Sequence, residues 1–203
     1  MAARRDGQAS IFAYEMERFE AEVATPVLAK LVPIPNAVRG GPRKTIVQTA
    51  RDNSHNALCY TARLSFALTV GASFERNLRF WLGRAAPDQR DAIHRAARPA
   101  LLRGLRQLKG LDLPQVGLEA DLSELWDITA MARHGDGPAA DRVAAKNPDL
   151  WAHNDPVLQA LYDADGLRVH SARVSDQDLA RYFKAVIGFW RLAERSRPPR
   201  AAG

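Results

Sequence analysis

Apolar residues along the chain recur at spacings of three and four rather than alternating, which predicts helices nearly throughout. A first helix is expected from about Gln8 to Leu31, ending at Pro33 and Pro35. The turn-rich stretch PIPNAVRGGPRK follows, so 33–55 reads as a loop or arm. A long helix or bent helix pair then covers about Asn56 to Gly83, with Gly71 as a possible kink. Pro87 and Pro99 divide the next segment into two short helices or one kinked one, closed by Gly110.

The clearest helix is GLEADLSELWDITAMARHG, with Leu118, Leu122, Leu125, Thr129 and Ala132 on one face. A short helix is expected near Ala139 to Lys146, then turns at Pro148 and at Asn154 to Pro156. GLRVHSARV, 166–174, alternates enough to suggest a short strand or β-hairpin. The last helix begins at a capping box, Ser175 with Asp178, and buries Leu179, Tyr182, Phe183, Val186, Ile187 and Trp190. The expected fold class is therefore all-α, a single bundle of about five to seven helices. Its expected divisions are an N-terminal helix at 1–32, the arm at 33–55, a bundle core at 56–195 and a disordered tail at 196–203.

Composition changes this picture in three ways. At 203 residues and 46% hydrophobic, the chain can bury one good-sized core. Cys59 is the only cysteine, so no intrachain disulfide or cysteine metal site is possible, and a small buried hydrophobe is its expected role. No export or membrane segment stands out, and a cytoplasmic protein is expected.

The net charge of +6 is unevenly distributed. Ala72 to Lys109 carries nine Arg or Lys against three acids, or +6, and Gly110 to Asp136 carries six acids against one arginine, or −5. Such a pair of blocks makes either a dipolar surface with a polyanion-attracting face or two helix faces that neutralise each other.

The seam AMARHGDGP, positions 130–138, concentrates the candidate chemistry. With Leu118 at zero on a helical wheel, Leu122 falls at about 40°, Trp126 at about 80° and Arg133 at about 60°. Arg133 is thus expected to continue the apolar stripe, where a guanidinium needs a carboxylate, a helix end or an anion. His134 falls near Asp127, which could orient its ring. Arg and His in a last turn, a glycine cap at Gly135 and Pro138 at the next helix start satisfy ordinary helix-end rules. Asp136 is the residue those rules leave unexplained.

SFERNLRFWL, then ARHGDGPAADRV and NPDLW, resemble bacterial helical-bundle proteins of the HEPN superfamily over about 73–151. The resemblance implies a four-to-five-helix bundle that binds RNA, with members that are metal-independent endoribonucleases of defence and toxin–antitoxin systems and others that only bind or dimerise. The usual signature sets an arginine several residues before a histidine near a helix start. Here Arg51 and His55, like Arg90 and His94, have three residues between them, while Arg133 and His134 are adjacent. None has the usual spacing, and only Arg133 and His134 lie within the resembling text.

Carried onto this chain, the resemblance makes Arg133 the phosphate-holding cation and His134 the acid or base at the ribose 2′-hydroxyl or leaving oxygen. Asp127 and Asp136 would support them, with Arg76 and Asn77 lining the groove from the facing helix. A twofold dimer through the 117–135 helix would double the site. Expected partners are RNA, a second copy and a protein partner or antitoxin, with no cofactor and no metal. The alternatives are a non-catalytic dimerisation or protein-interaction module and a binder of a small anionic nucleotide. Trp81, Trp126, Trp151 and Trp190 are expected in the core, although tryptophans can also stack bases. His153 and His170 have no ligand-like spacing.

Overall fold

A computed structural model of the chain describes residues 6–35, 45–151, 160 and 168–196. Asp6 starts the first helix, α1 (Gly7–Phe19), by accepting from the backbone N–H groups of Gln8 and Ala9. A π-helical turn, Glu20–Ala24, leads into α2 (Thr25–Leu28). Its cause is local: Pro26 cannot fit an unbroken α-helix, and the wider turn, closed by Thr25 N–H to Glu20 O, precedes the proline.

The longest element is α3 (Ile46–Ala85), which starts ten residues earlier than the apolar spacing predicts. Thr45 accepts from Gln48 N–H while the Gln48 side chain accepts from Thr45 N–H. This capping box converts 46–55 from expected loop to helix. Asn56 then pins the chain before it, accepting from Ile34 N at 2.7 Å and donating to Ile34 O at 2.9 Å. The remainder of the expected arm, 36–44, lies outside the described residues, as do His153, the turn at 154–156 and the tail beyond 196.

The α-helix runs unbroken through Gly71. A Cβ there would stand 2.0 Å from Thr129 Oγ1, so the missing side chain is what lets the helix pass close to its neighbour. After a 3₁₀ turn at Pro87–Gln89 come α4 (Arg90–Arg95) and α5 (Arg98–Lys109), two helices separated at Ala96 and Ala97. Gly110, at φ 65° and ψ 19°, supplies the left-handed cap that ends α5. Then follow α6 (Glu119–His134), α7 (Pro138–Lys146), a 3₁₀ turn at Pro148–Trp151, α8 (Arg168–Ser171) and α9 (Asp176–Arg195).

The bundle is all-helical, and no strand occurs among the described residues. In the described part of the expected hairpin, 168–174, a helical turn at Arg168–Ser171 is followed by non-helical chain; 166 and 167 lie outside the described residues. Alternation there is real, since Ala172 and Val174 are buried and Arg173 is half-buried, but the neighbour is Leu150 O, not a second strand. There are more helices than the five to seven expected, because the π-turn divides the first into α1 and α2 and because 168–171 is helical.

The core is aromatic. Phe12, Phe74, Trp81, Phe189 and Trp190 form tilted and edge-to-face pairs with centroids 4.8 to 6.3 Å apart. All four tryptophans are buried, as expected, and so is Cys59. The first helix joins this core: α1 lies antiparallel to α9, with Asp6 N–H bonded to Glu194 O at one end and Phe19 against Phe183 at the other. By length and composition α3 is also apolar enough to cross a membrane. Its buried residues Ala67, Val70, Phe74, Leu78 and Trp81 recur at helical spacing against the rest of the bundle.

Candidate nucleic-acid interface

Asp127 lies on α6 with 2% of its side chain exposed, and three cations converge on it. Arg98 Nη1 from α5 donates to Oδ1 at 3.2 Å, Arg142 Nε from α7 donates to the same oxygen at 3.0 Å, and Lys146 Nζ donates to Oδ2 at 2.9 Å. Ser123, one turn earlier, accepts from both Arg98 and Lys146. Arg98 also lies over the Trp126 ring at 5.1 Å.

Three positive charges and one negative leave the group at +2. The counter-charge is at the bottom and the cations are at the surface, with 31%, 52% and 44% of the Arg98, Arg142 and Lys146 side chains exposed. Among the described residues the Nη groups of Arg142 have no acceptor, so its fork is presented outward. Such a fork matches two oxygens of a phosphate.

The acidic block is consumed elsewhere. Arg181 of α9 bonds Asp121, Glu124 and Asp178, and Tyr182 donates its hydroxyl to Glu124, which with burial raises the phenol above its ordinary range. Asp112 takes Arg106. Of the six acids between Gly110 and Asp136, Asp121 and Glu124 tie α6 to α9 and Asp127 ties it to α5 and α7, so negative charge collects on the α9 side of α6. Arg90, Arg95 and Arg103 are exposed with no bonded partner among the described residues, so α4 and α5 carry further positive charge at the surface.

His134 ends α6 seven residues after Asp127, a rise of about 10 Å on the same side of the helix. Arg133 and His134 are both exposed, and among the described residues neither makes a hydrogen bond or ion pair. Arg133 does not point inward as the wheel predicts. The buried set of α6 includes Asp127, Ile128, Thr129 and Met131 and so wraps around the helix; in the last turn Met131 alone is buried. A stripe extrapolated from Leu118 and Leu122 has no partner at Arg133.

Asp127 does not orient His134, because its oxygens already serve the cations. Asp136 has the role that helix-end rules left open: its Oδ1 accepts the Val169 N–H at 2.7 Å, fixing the seam to α8. Gly135, at φ 76° and ψ −154°, holds a conformation reserved for glycine and turns the chain toward α7.

Arg76 and Asn77 do not join this group. Gly71 and Phe74 face Thr129 and Trp126, so the two helices run antiparallel. The position opposite Arg133 is then near Ala67, and Arg76 lies about 13 Å along α3, on its solvent side. Most of α6 is covered by α3, α5, α7 and α9, and its exposed residues lie at its two ends.

Arg98, Arg142 and Lys146 are the site residues that sequence reading missed. The available signal was Arg142 and Lys146 at i and i+4, folded back by a short glycine turn onto a helix with Ser123 and Asp127 at i and i+4. Among the described residues no three His, Cys, Asp or Glu side chains gather as metal ligands. Compared with known proteins, the chain matches no family model, no curated protein and no solved structure.

Proposed function

We propose that the protein binds RNA in the groove between α5, α6 and α7, in the manner of HEPN-like bundles. The observation that carries this reading is the convergence of three cations on one buried carboxylate. Asp127 gathers the three cations at one place, yet offsets only one of their three charges. A phosphodiester supplies the missing negative charge and the paired oxygens that the Arg142 fork fits. Arg90, Arg95 and Arg103 add exposed positive charge on the neighbouring helices, which raises the general attraction for a polyanion.

A second reading is cleavage at the same groove. Its support is that His134 and Arg133 stand exposed and unengaged at the tip, on the Asp127 side for His134. In that reaction His134 accepts the 2′-hydroxyl proton or protonates the leaving oxygen, and Arg133 stabilises the charge that develops on phosphorus-bound oxygen. A role in bacterial defence or a toxin–antitoxin pair follows from the resemblance alone. A panel of single-stranded and hairpin RNAs, incubated with EDTA and with the parent or His134→Ala protein, separates the readings. Binding with cleavage lost in the folded variant supports a nuclease; equal binding without cleavage by either supports a non-catalytic RNA-binding module.

A further inference from the structure

The outward face of α3 is nearly free of charge over six turns. From Asn53 to Phe74 the only charged residue is Arg63, and its side chain is 3% exposed on the opposite side. The solvent side carries Ser54, Leu58, Thr61, Ser65, Leu68 and Ala72, at alternating spacings of four and three. Leu58 is 56% exposed. At the centre of this face Ser65 donates to Thr61 O at 2.8 Å, and beside it Thr69 donates to Ser65 O at 2.9 Å, so these two hydroxyls are satisfied within the helix and can be buried at little polar cost.

We infer that a second copy of the chain packs on this face, α3 against α3 in antiparallel orientation about a twofold axis at Arg63. That register sets Leu58 against the partner's Leu68, Thr61 against the partner's Ser65 and Ser54 against the partner's Ala72, a self-complementary heptad seam. Charge selects the occupant and its direction. At the two ends of the uncharged stretch Arg51 meets the partner's Glu75, whereas a parallel pairing would oppose Arg51 to Arg51. Arg51 is exposed and has no bonded partner among the described residues. Glu75 holds Arg79 through Oε1 alone, which leaves Oε2 for the incoming guanidinium. This dimer is independent of RNA binding and uses a different helix from α6, most of which is covered within the chain.

Sedimentation equilibrium of the full chain, with Ser65→Arg and with Thr61→Cys/Ser65→Cys, tests the seam. The parent is expected to dimerise, Ser65→Arg to weaken the dimer by about tenfold or more with unchanged circular dichroism, and the double-cysteine protein to form an intermolecular disulfide on mild oxidation. A dimer untouched by Ser65→Arg and not cross-linked through the two cysteines would overturn the inference. So would a parent protein that stays monomeric at all concentrations, including one that floats with neutral phosphatidylcholine vesicles, a result that would assign the face to lipid.

Discussion

Arg142 Nε and Arg98 Nη1 share a single oxygen, Asp127 Oδ1, at 3.0 and 3.2 Å. One acceptor between two guanidinium groups, with Lys146 on the other oxygen, holds like charges together that would otherwise separate. The carboxylate is therefore a structural hub whose cations remain underneutralised, and its contributions to stability and to binding have opposite signs.

Asp127→Asn should accordingly separate the two properties. Removing the charge leaves three cations facing one another, but each is partly exposed and can rehydrate, so the expected loss is about 2 to 3 kcal/mol rather than the full cost of a broken buried pair. Urea unfolding measures the loss. RNA affinity of the folded variant should hold or rise, because the local charge becomes more positive.

Gly71→Ala probes the closest approach between α3 and α6. Alanine favours a helix by about 1 kcal/mol over glycine, yet its Cβ would collide with Thr129 Oγ1. A net destabilisation of about 1 to 3 kcal/mol is expected. Adding Thr129→Ala should recover much of it, and a stabilised single variant would show that the helices are not in contact.

What was legible in the sequence was whatever local pattern specifies. The α6 periodicity, the Ser175–Asp178 capping box, the proline break between α4 and α5 and the buried tryptophans were all readable. The start of α3 was present as Thr45 and Gln48, but the surrounding prolines and glycines outweighed it. Long-range pairing was not legible: nothing local says that Asp136 serves Val169, or that the charges of Asp127, Arg98, Arg142 and Lys146 meet. Arg133 shows the limit of a helical wheel, which assigns a face to a residue without knowing where the covering helix ends.

Arg63 ties three parts of the chain at one guanidinium. It donates to both oxygens of Asp176 at 2.9 and 3.1 Å and to the carbonyls of Leu31 and Cys59 at 3.0 Å each. Arg63→Met should cost about 2 to 4 kcal/mol in urea unfolding, since the half-buried Leu31 carbonyl loses this donor and Asp176 its bidentate partner, while the Cys59 carbonyl keeps only its helix N–H. Arg63→Lys should recover only a fraction, as an ammonium lacks the planar fork. Asp176 is 67% exposed, so Asp176→Asn should cost under about 1 kcal/mol.

Two carboxyl groups set the response to acid. Burial acts to raise Asp6, but the Trp81 indole N–H, Lys109 and the Ala9 and Gln8 amides outweigh it and hold the group below its ordinary 3.8. Burial likewise opposes ionisation of Asp178, and the Ser175 hydroxyl and amide with Arg181 outweigh it. Folded values below unfolded ones mean that the stabilisation is complete above the ordinary carboxylate value and is lost as pH falls through the depressed values. Unfolding free energy should therefore drop from roughly pH 4 downward. Asp6→Asn and Asp178→Asn should each make that drop shallower; an unchanged slope in both would contradict this assignment.

Binding of a fluorescently labelled RNA by the parent protein and by Arg142→Gln/Lys146→Gln, titrated at several salt concentrations, is the most direct measurement. Phosphate held by the Asp127-centred cations requires the folded variant to bind about tenfold or more weakly, with the slope of log affinity against log salt reduced by about 1 to 2. Equal affinity and equal slope for the two proteins, or no binding by the parent at low salt, would contradict an RNA site between α5, α6 and α7.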